Sequence, residues 1–341
     1  MKIAFFDTHH FDKEAFLAAN EKFHLEIEFL EGHLNSQTYR LARGAQAVCI
    51  FVNDKVDEAC IEGLKDVGIQ LIVLRSAGFN NVDLRAAKKH GIVVARVPAY
   101  SPYAVAEFAT GLVLALNRKI HRAYARVREQ NFSLDGLVGF DLYGKTVGVI
   151  GTGKIGTVFA KIMTSFGCQV LAHDPLKNPE LENHPGVQYT DLLSLCKQAD
   201  IISLHVPLTP DTHHIIASDK IRLMKKGVLL INTSRGALID SKALIEGLKS
   251  EKIGGAALDV YEEEEHVFFQ DLSGQILQDD LLARLLTFPN VLITSHQAFL
   301  TREALHNIAV TTLESVSEFA KTGQIPAPKV VGPEVIQKPA P

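Results

Sequence analysis

The stretch from Lys145 to Asp174, KTVGVIGTGKIGTVFAKIMTSFGCQVLAHD, constrains the fold more than any other part of the chain. It opens on an apolar, β-branched run, residues 146–150, long enough for one buried strand. Gly151, Gly153 and Gly156 follow at once as G-x-G-x-x-G. Val158, Phe159, Ile162 and Met163 then recur at helical spacing, and Gly167 stops the pattern. A second apolar run, residues 169–172, ends in His173-Asp174. Strand, glycine turn, helix, strand and acid, in that order, make a dinucleotide-binding unit. The turn needs residues free of Cβ strain, and a pyrophosphate must come close to backbone N–H groups. The helix N-terminus adds unpaired donors at the positive end of its dipole. Asp174 lies eighteen residues past Gly156 (174 − 156), where a carboxylate can bind ribose hydroxyls. That carboxylate would repel a 2′-phosphate, and the next residue is Pro175 rather than an arginine. The expected cofactor is therefore NAD.

At 341 residues the chain has room for a second domain. Apolar runs at residues 2–6, 25–30, 47–51, 71–74 and 92–96 alternate with helical patterns near 11–20, 36–42, 56–66 and 83–90. Strands alternating with helices imply a parallel sheet. No glycine fingerprint occurs there, so that sheet is not expected to hold a dinucleotide. Residues 98–102 (PAYSP) break the pattern, and a long helix, apolar nearly all round, is expected from Tyr103 to about Arg122. Beyond the glycine unit, apolar runs at residues 201–206, 228–231, 256–260 and 291–294 bring the second sheet to six strands. Residues 262–290 form an excursion too long for an ordinary connection, and it is expected to pack elsewhere on the protein. A last helix over 301–321 ends at Gly323, and the stretch from Ile325 to Pro341, with five prolines, is expected to be extended or disordered. The fold class expected is α/β, with two doubly wound parallel-sheet domains joined by two helical crossings. One is a flavodoxin-like substrate domain (1–100 plus 298–330) and the other a Rossmann NAD domain (101–297), with 331–341 as a flexible tail.

Ligands of such sheets bind beyond the carboxyl ends of the strands. Three ends in the second domain carry unusual polar residues: Asn232 to Gly236, Asp259 with the acidic run behind it, and Ser295-His296-Gln297. Arg235, Asp259, Glu264 and His296 are thus expected to converge beside one nicotinamide. The set suits reduction of a 2-oxo acid. A guanidinium grips a carboxylate and a carbonyl in a planar, two-pronged contact. An imidazolium supplies the proton that a developing alkoxide needs near neutral pH, and a carboxylate beside it favours the charged ring. In the first domain, Arg75 to Asn81 follow a strand, and small residues with Gly78 would let backbone N–H groups meet an anion; an ordinary loop reads the same way locally.

The net charge of −4 gives no basic footprint for nucleic acid. The four cysteines, Cys49, Cys60, Cys168 and Cys196, have no C-x-x-C spacing and read as reduced core thiols. The N-terminus does not read as a signal peptide, no apolar run is long enough to span a membrane, and a cytoplasmic location is expected. His9-His10 and His213-His214 are adjacent pairs, judged unsuited to sharing one ion, and no metal is expected.

Taken together, GTGKIG with Asp174, HVPLTP (205–210), NTSRGALID (232–240), ALDVYE (257–262) and SHQAF (295–299) resemble the D-isomer-specific 2-hydroxyacid dehydrogenase family over residues 1 to about 330. LRSAGFNNVD (74–83), VPAYSP (97–102) and NRKIHRAYAR (117–126) narrow the resemblance. It implies Arg235 as the arginine on the substrate's carboxylate and carbonyl, His296 as the proton donor and Glu264 as its paired acid. Ser76, Ala77 and Gly78 match backbone that holds the carboxylate. Gly151, Gly153, Lys154, Ile155 and Gly156 match the pyrophosphate turn and Asp174 the ribose acid. Val206, Pro207, Thr212, Thr233, Ser234 and Asp259 match the remaining NAD contacts; at 212, Thr replaces the Asn of some relatives. Tyr100 and Phe299, with Phe51, fall near the substrate's side chain, where bulk suits a methyl group and hence pyruvate, with D-lactate as product. A homodimer or homotetramer is implied. Open alternatives are a larger 2-oxo acid or glyoxylate, and a non-catalytic NAD(H)-sensing interaction protein. The position of the fingerprint behind a whole α/β region argues against an L-specific enzyme.

Overall fold

All five apolar runs ahead of Pro98 become strands in the computed structural model, which describes residues 1–264 and 267–334. They are β1 (Lys2–Phe5), β2 (Glu26–Phe29), β3 (Ala47–Ile50), β4 (Leu71–Leu74) and β5 (Val93–Ala95). Between them lie α1 (His10–Asn20), α2 (Glu58–Asp66) and α3 (Leu84–Lys89). Every pairing among these five strands is parallel, in the order β5-β4-β3-β1-β2, the flavodoxin-like arrangement. β3 and β4 are buried at every residue, as central strands covered on both faces must be. Aspartates start the helices: Asp57 accepts from Cys60 N, and Asp83 from the N–H groups of Arg85 and Ala86. Each satisfies a donor the first turn leaves open.

A second compact unit runs from Pro102 to Phe299. It begins with α4 (Pro102–Arg118) and α5 (Ile120–Arg128), where a single helix to Arg122 was expected. The break falls at Lys119, whose φ is +53°. The side chain of Asn117 donates to Phe140 O (2.7 Å) and accepts from Phe140 N (3.0 Å), and Lys119 Nζ donates to Val138 O (2.6 Å). The returning chain thus docks on the helix end and turns it. Seven parallel strands follow: β6 (Thr146–Ile150), β7 (Gln169–His173), β8 (Val187–Tyr189), β9 (Ile201–Leu204), β10 (Val228–Asn232), β11 (Ile253–Leu258) and β12 (Val291–Ile293). Between them come α6 (Lys154–Ser165), α7 (Pro179–Glu182), α8 (Leu192–Gln198), α9 (Ser218–Leu223), α10 (Ser241–Lys249) and α11 (Asp280–Leu286).

The sheet order, β8-β7-β6-β9-β10-β11-β12, is the Rossmann order with one strand added beyond β11. The expected count of six strands is corrected to seven. β8 is three residues long, edges the sheet and has an exposed glutamine at its centre, so no apolar run announces it. One face of the sheet packs Ile202, Leu204 and Leu230 against Leu195 and Leu244. The other packs Val147, Val149 and Ile231 against Phe159 of α6 and Ala106, Ala109 and Val113 of α4. That accounts for the apolar circumference of α4, which lies between α6 and the strands β10 and β11. The 262–290 excursion, whose packing partner was open, settles on this same unit: Phe268 is buried in its core, and Val267, Phe269, Leu277 and Leu281 pack against it.

After Phe299 the chain rejoins the first unit, Met1–Ser101, from Leu300 onward. Thr301 caps α12 (Arg302–Thr322), which packs on α1 and β4 and ends at Gly323 with φ +69°. The stretch from Ile325 was expected to be extended or disordered, with a flexible tail from Val331, and the start of that tail is corrected. Val330–Val331 forms β13, antiparallel to β5, with Val331 buried. β5 was the open edge of its sheet, and its unpaired backbone groups offer a template for such a strand. Residues 335–341 of the expected tail, and Glu265 and His266, lie outside the described residues.

Candidate active site

The three glycines after β6 differ in what surrounds them. Gly151 has φ +95°, and a Cβ there would stand 2.6 Å from His205 O. A Cβ on Gly156 would stand 1.9 Å from Gly151 O, so α6 rests directly on the turn. Gly153, the residue that caps α6, meets nothing within 4 Å. Its bare backbone faces open space at a helix N-terminus, which is what a pyrophosphate requires. Asp174 follows β7, with Oδ2 accepting from Thr152 N (2.7 Å) and Oδ1 from Leu176 N (2.9 Å), so its carboxylate is fixed against the turn. Thr233 Oγ1 is buried with no hydrogen-bond partner and is open to one from a ligand. These features fit NAD. Lys154 and Ile155 open α6, with Lys154 exposed. Ser234 Oγ donates to Val206 O (2.6 Å) and ties the loop after β10 to that after β9, in which Pro207 is exposed. Thr212, expected at the cofactor, closes its own loop through Pro207 O (2.6 Å).

The loops after β10, β11 and β12 are built on one another. Asn232 accepts from Ser234 N (3.0 Å) and donates to Arg235 O (2.8 Å), which sets the course of the first loop. Arg235 Nη1 donates to Ser234 O (2.6 Å). A Cβ on Gly236 would lie 2.0 Å from the carbonyl carbon of Tyr261, so only glycine lets this loop lie on the backbone that leads to Glu264. Glu264 Oε2 accepts from Tyr261 N (3.0 Å), and Oε1 lies 2.8 Å from Nδ1 of His296. Burial pushes the Glu264 carboxyl up, but His296, the Tyr261 N–H and the Arg235 guanidinium outweigh it and hold the group below its ordinary value. An ionised Glu264 accepts only, so Nδ1 is the donor of this pair.

His296 sits at φ +51°, a conformation non-glycine residues seldom adopt, and its N–H donates to Asp259 O (2.7 Å). Asp259 was expected among the cofactor contacts. It is fully buried, and its carboxylate accepts from Thr294 Oγ1 (2.6 Å), Gln297 N (2.9 Å) and Ala298 N (2.8 Å). Burial raises its pKa against those three donors. Asp259 therefore braces the segment that carries His296. Phe269, not singled out from the sequence, places its ring centroid 6.0 Å from that of His296. Tyr261, also missed, hydrogen-bonds through its hydroxyl to Asp279 (3.0 Å), the cap of α11, and so pins the excursion to the Glu264 segment.

Residues 110–298 match the model of the D-isomer specific 2-hydroxyacid dehydrogenase NAD-binding domain. The chain belongs to the D-isomer-specific 2-hydroxyacid dehydrogenase family. It is 53% identical to 2-hydroxyacid dehydrogenase homolog 1 of Schizosaccharomyces pombe, over 96% of this chain and 98% of that protein. It is 51% identical to the D-lactate dehydrogenase of Escherichia coli, over 94% of this chain and 97% of that one. The apo-structure of the D-lactate dehydrogenase from Escherichia coli superposes with a TM-score of 0.87, covering 97% of this chain and all of that one at 48% identity. The protein is thus an NAD-dependent 2-hydroxyacid dehydrogenase, an oxidoreductase.

In this dehydrogenase the other expected substrate residues are arranged as follows. Within the first unit, Ser76 O accepts from Val97 N (3.1 Å), Ala77 O from Arg96 Nη1 (2.9 Å) and Gly78 O from Ser76 Oγ (2.9 Å). A trans peptide aims its N–H opposite its carbonyl, so the amides of Ala77, Gly78 and Phe79 point away from these donors. That leaves them for an anion. Tyr100 O accepts from Asn307 of α12 (2.7 Å). Phe51 is buried with its ring 4.5 Å from the Arg75 guanidinium. Phe299, also buried, closes the second unit. All four cysteines are buried free thiols, and burial pushes Cys49 and Cys60 up to about 12.

Proposed function

We propose that this dehydrogenase reduces pyruvate to D-lactate. When bound, NADH supplies a hydride to the carbonyl carbon. Arg235 grips the substrate's carboxylate and carbonyl oxygen, and the amides of the Ser76–Ala77–Gly78 loop hold the carboxylate from the first unit, which serves as the substrate domain. His296 Nε2 gives a proton to the developing alkoxide. Glu264 steadies the imidazolium before the transfer and orients the ring. Tyr100, Phe299 and Phe51 are the residues this reading assigns to the substrate's side chain, and their bulk suits a methyl group. The observation that carries this reading is the 2.8 Å Glu264–His296 pair, presented beside the loop of Arg235. The name of the Escherichia coli relative, at 51% identity, supports the choice of substrate.

The protein works in the cytoplasm as a homodimer or homotetramer. Four free thiols support the location; among the described residues, no helix is long and apolar enough to cross a membrane. Ile120, Tyr124 and Val127 lie exposed at helical spacing on α5, followed by exposed Phe132, Leu134 and Val138. Such a face suits a second copy of the chain. The reaction is tested by comparing kcat/KM for pyruvate, glyoxylate, 2-oxoisocaproate and phenylpyruvate with NADH. Pyruvate is expected to lead; a preference for a larger acid would retain the mechanism and reject the substrate. Tight NADH binding without turnover of any of the four would favour a sensor.

A further inference from the structure

The geometry points to a transition-metal site, of zinc character, formed by His213, His214 and Glu262. One ring nitrogen from each histidine and one carboxylate oxygen lie within 4.8 Å of one another. Adjacent histidines are poor partners for one ion when their rings diverge, but here the rings lie 3.9 Å apart at 30°. His214 is held at φ +50°, with its N–H on Ala237 O (2.8 Å). Glu262 reaches the pair from 48 residues away, with Oε1 2.6 Å from His214 Nε2. Its other oxygen is anchored by Ser241 Oγ (2.8 Å) and Ser241 N (3.3 Å). Anchored carboxylates of this kind orient a ligand for its metal.

Two imidazoles and a carboxylate match the borderline preference of zinc, with a fourth position left to water. His213 is exposed, so an ion can enter. Zinc–ligand bonds of about 2.0–2.1 Å set tetrahedral donors roughly 3.3 Å apart. The His214–Glu262 pair must therefore open by several tenths of an ångström. An ion there displaces the proton shared in the His214–Glu262 hydrogen bond, so acid opposes binding. Glu262 precedes Glu264 by two residues, so the ion would hold the backbone that carries the acid paired to His296.

The test is calorimetric titration of the full, chelator-stripped chain with Zn2+ in a non-chelating buffer, repeated with Co2+ and read by visible absorption. The expected result is one equivalent per chain, with the intense d–d bands of a low-coordinate cobalt site. His213→Ala and Glu262→Gln should each weaken binding at least about tenfold, whereas His184→Ala, at a partly exposed histidine elsewhere, should not. If Glu262→Gln disturbs the fold through Ser241, the exposed His213→Ala carries the result, with circular dichroism confirming the native fold. Failure to bind an equivalent, or binding unchanged in His213→Ala, overturns the site.

Discussion

His296 gathers most of the chemistry into one side chain. Its ring is oriented by Glu264 and its backbone by Asp259. Replacing it with Ala removes the proton donor, and kcat for pyruvate reduction should fall by about 10²–10⁴. NADH binding, followed by fluorescence, should persist. Glu264→Gln removes the carboxylate that orients the ring, so kcat/KM should fall while NADH binding is retained; an unchanged kcat/KM would detach Glu264 from the mechanism. The Glu264 carboxyl is held below its ordinary value of 4.5, so its pairing stabilises the fold above that value and is lost as pH falls through the lowered one. The meeting of Glu264 with His296 was legible in the sequence, because strand order alone brings the ends of neighbouring strands together. Asp259 was not legible in the same way. A carboxylate at a strand end looks the same whether it faces a ligand or receives its neighbour's backbone N–H groups.

Elements show where sequence pattern stops informing. Buried central strands announce themselves as apolar runs, and β3, β4, β6 and β10 all did. β8 did not, because a three-residue edge strand needs little apolar surface. The bend at Lys119 was hidden too, since it depends on Phe140 docking twenty-three residues later (140 − 117) on Asn117. The excursion has no single period, so its burial of Phe268 and the approach of Phe269 to His296 could only be seen in three dimensions. The contact between the Arg235 loop and the Glu264 segment yields a prediction at this scale. Gly236→Ala drives a Cβ into the Tyr261 backbone, which cannot yield as a flexible side chain does. It should cost about 1–3 kcal/mol in denaturant unfolding and lower kcat/KM together with stability. Asp259→Asn turns one of the two carboxylate oxygens into a donor, which then opposes the N–H of either Gln297 or Ala298. About 1–3 kcal/mol of stability should be lost, with reduced turnover read in the same preparation.

For the molecule as a whole, the two sheets were legible from the alternation of strand and helix, and the glycine fingerprint assigned the nucleotide to the second. β13 was not, since a proline-rich stretch carries no signal that it will complete a sheet edge begun more than two hundred residues earlier. Association is a property of the entire chain. Tyr124→Asp combined with Val127→Asp places charge on the exposed face of α5, and sedimentation should then show a smaller species; an unchanged sedimentation coefficient would move the interface elsewhere. The central claim is tested most directly by incubating the purified chain with pyruvate and NADH and measuring the handedness of the lactate formed. The account predicts stoichiometric NADH oxidation with D-lactate as the product. L-lactate, or NADH left unoxidised by protein that binds it, would contradict it.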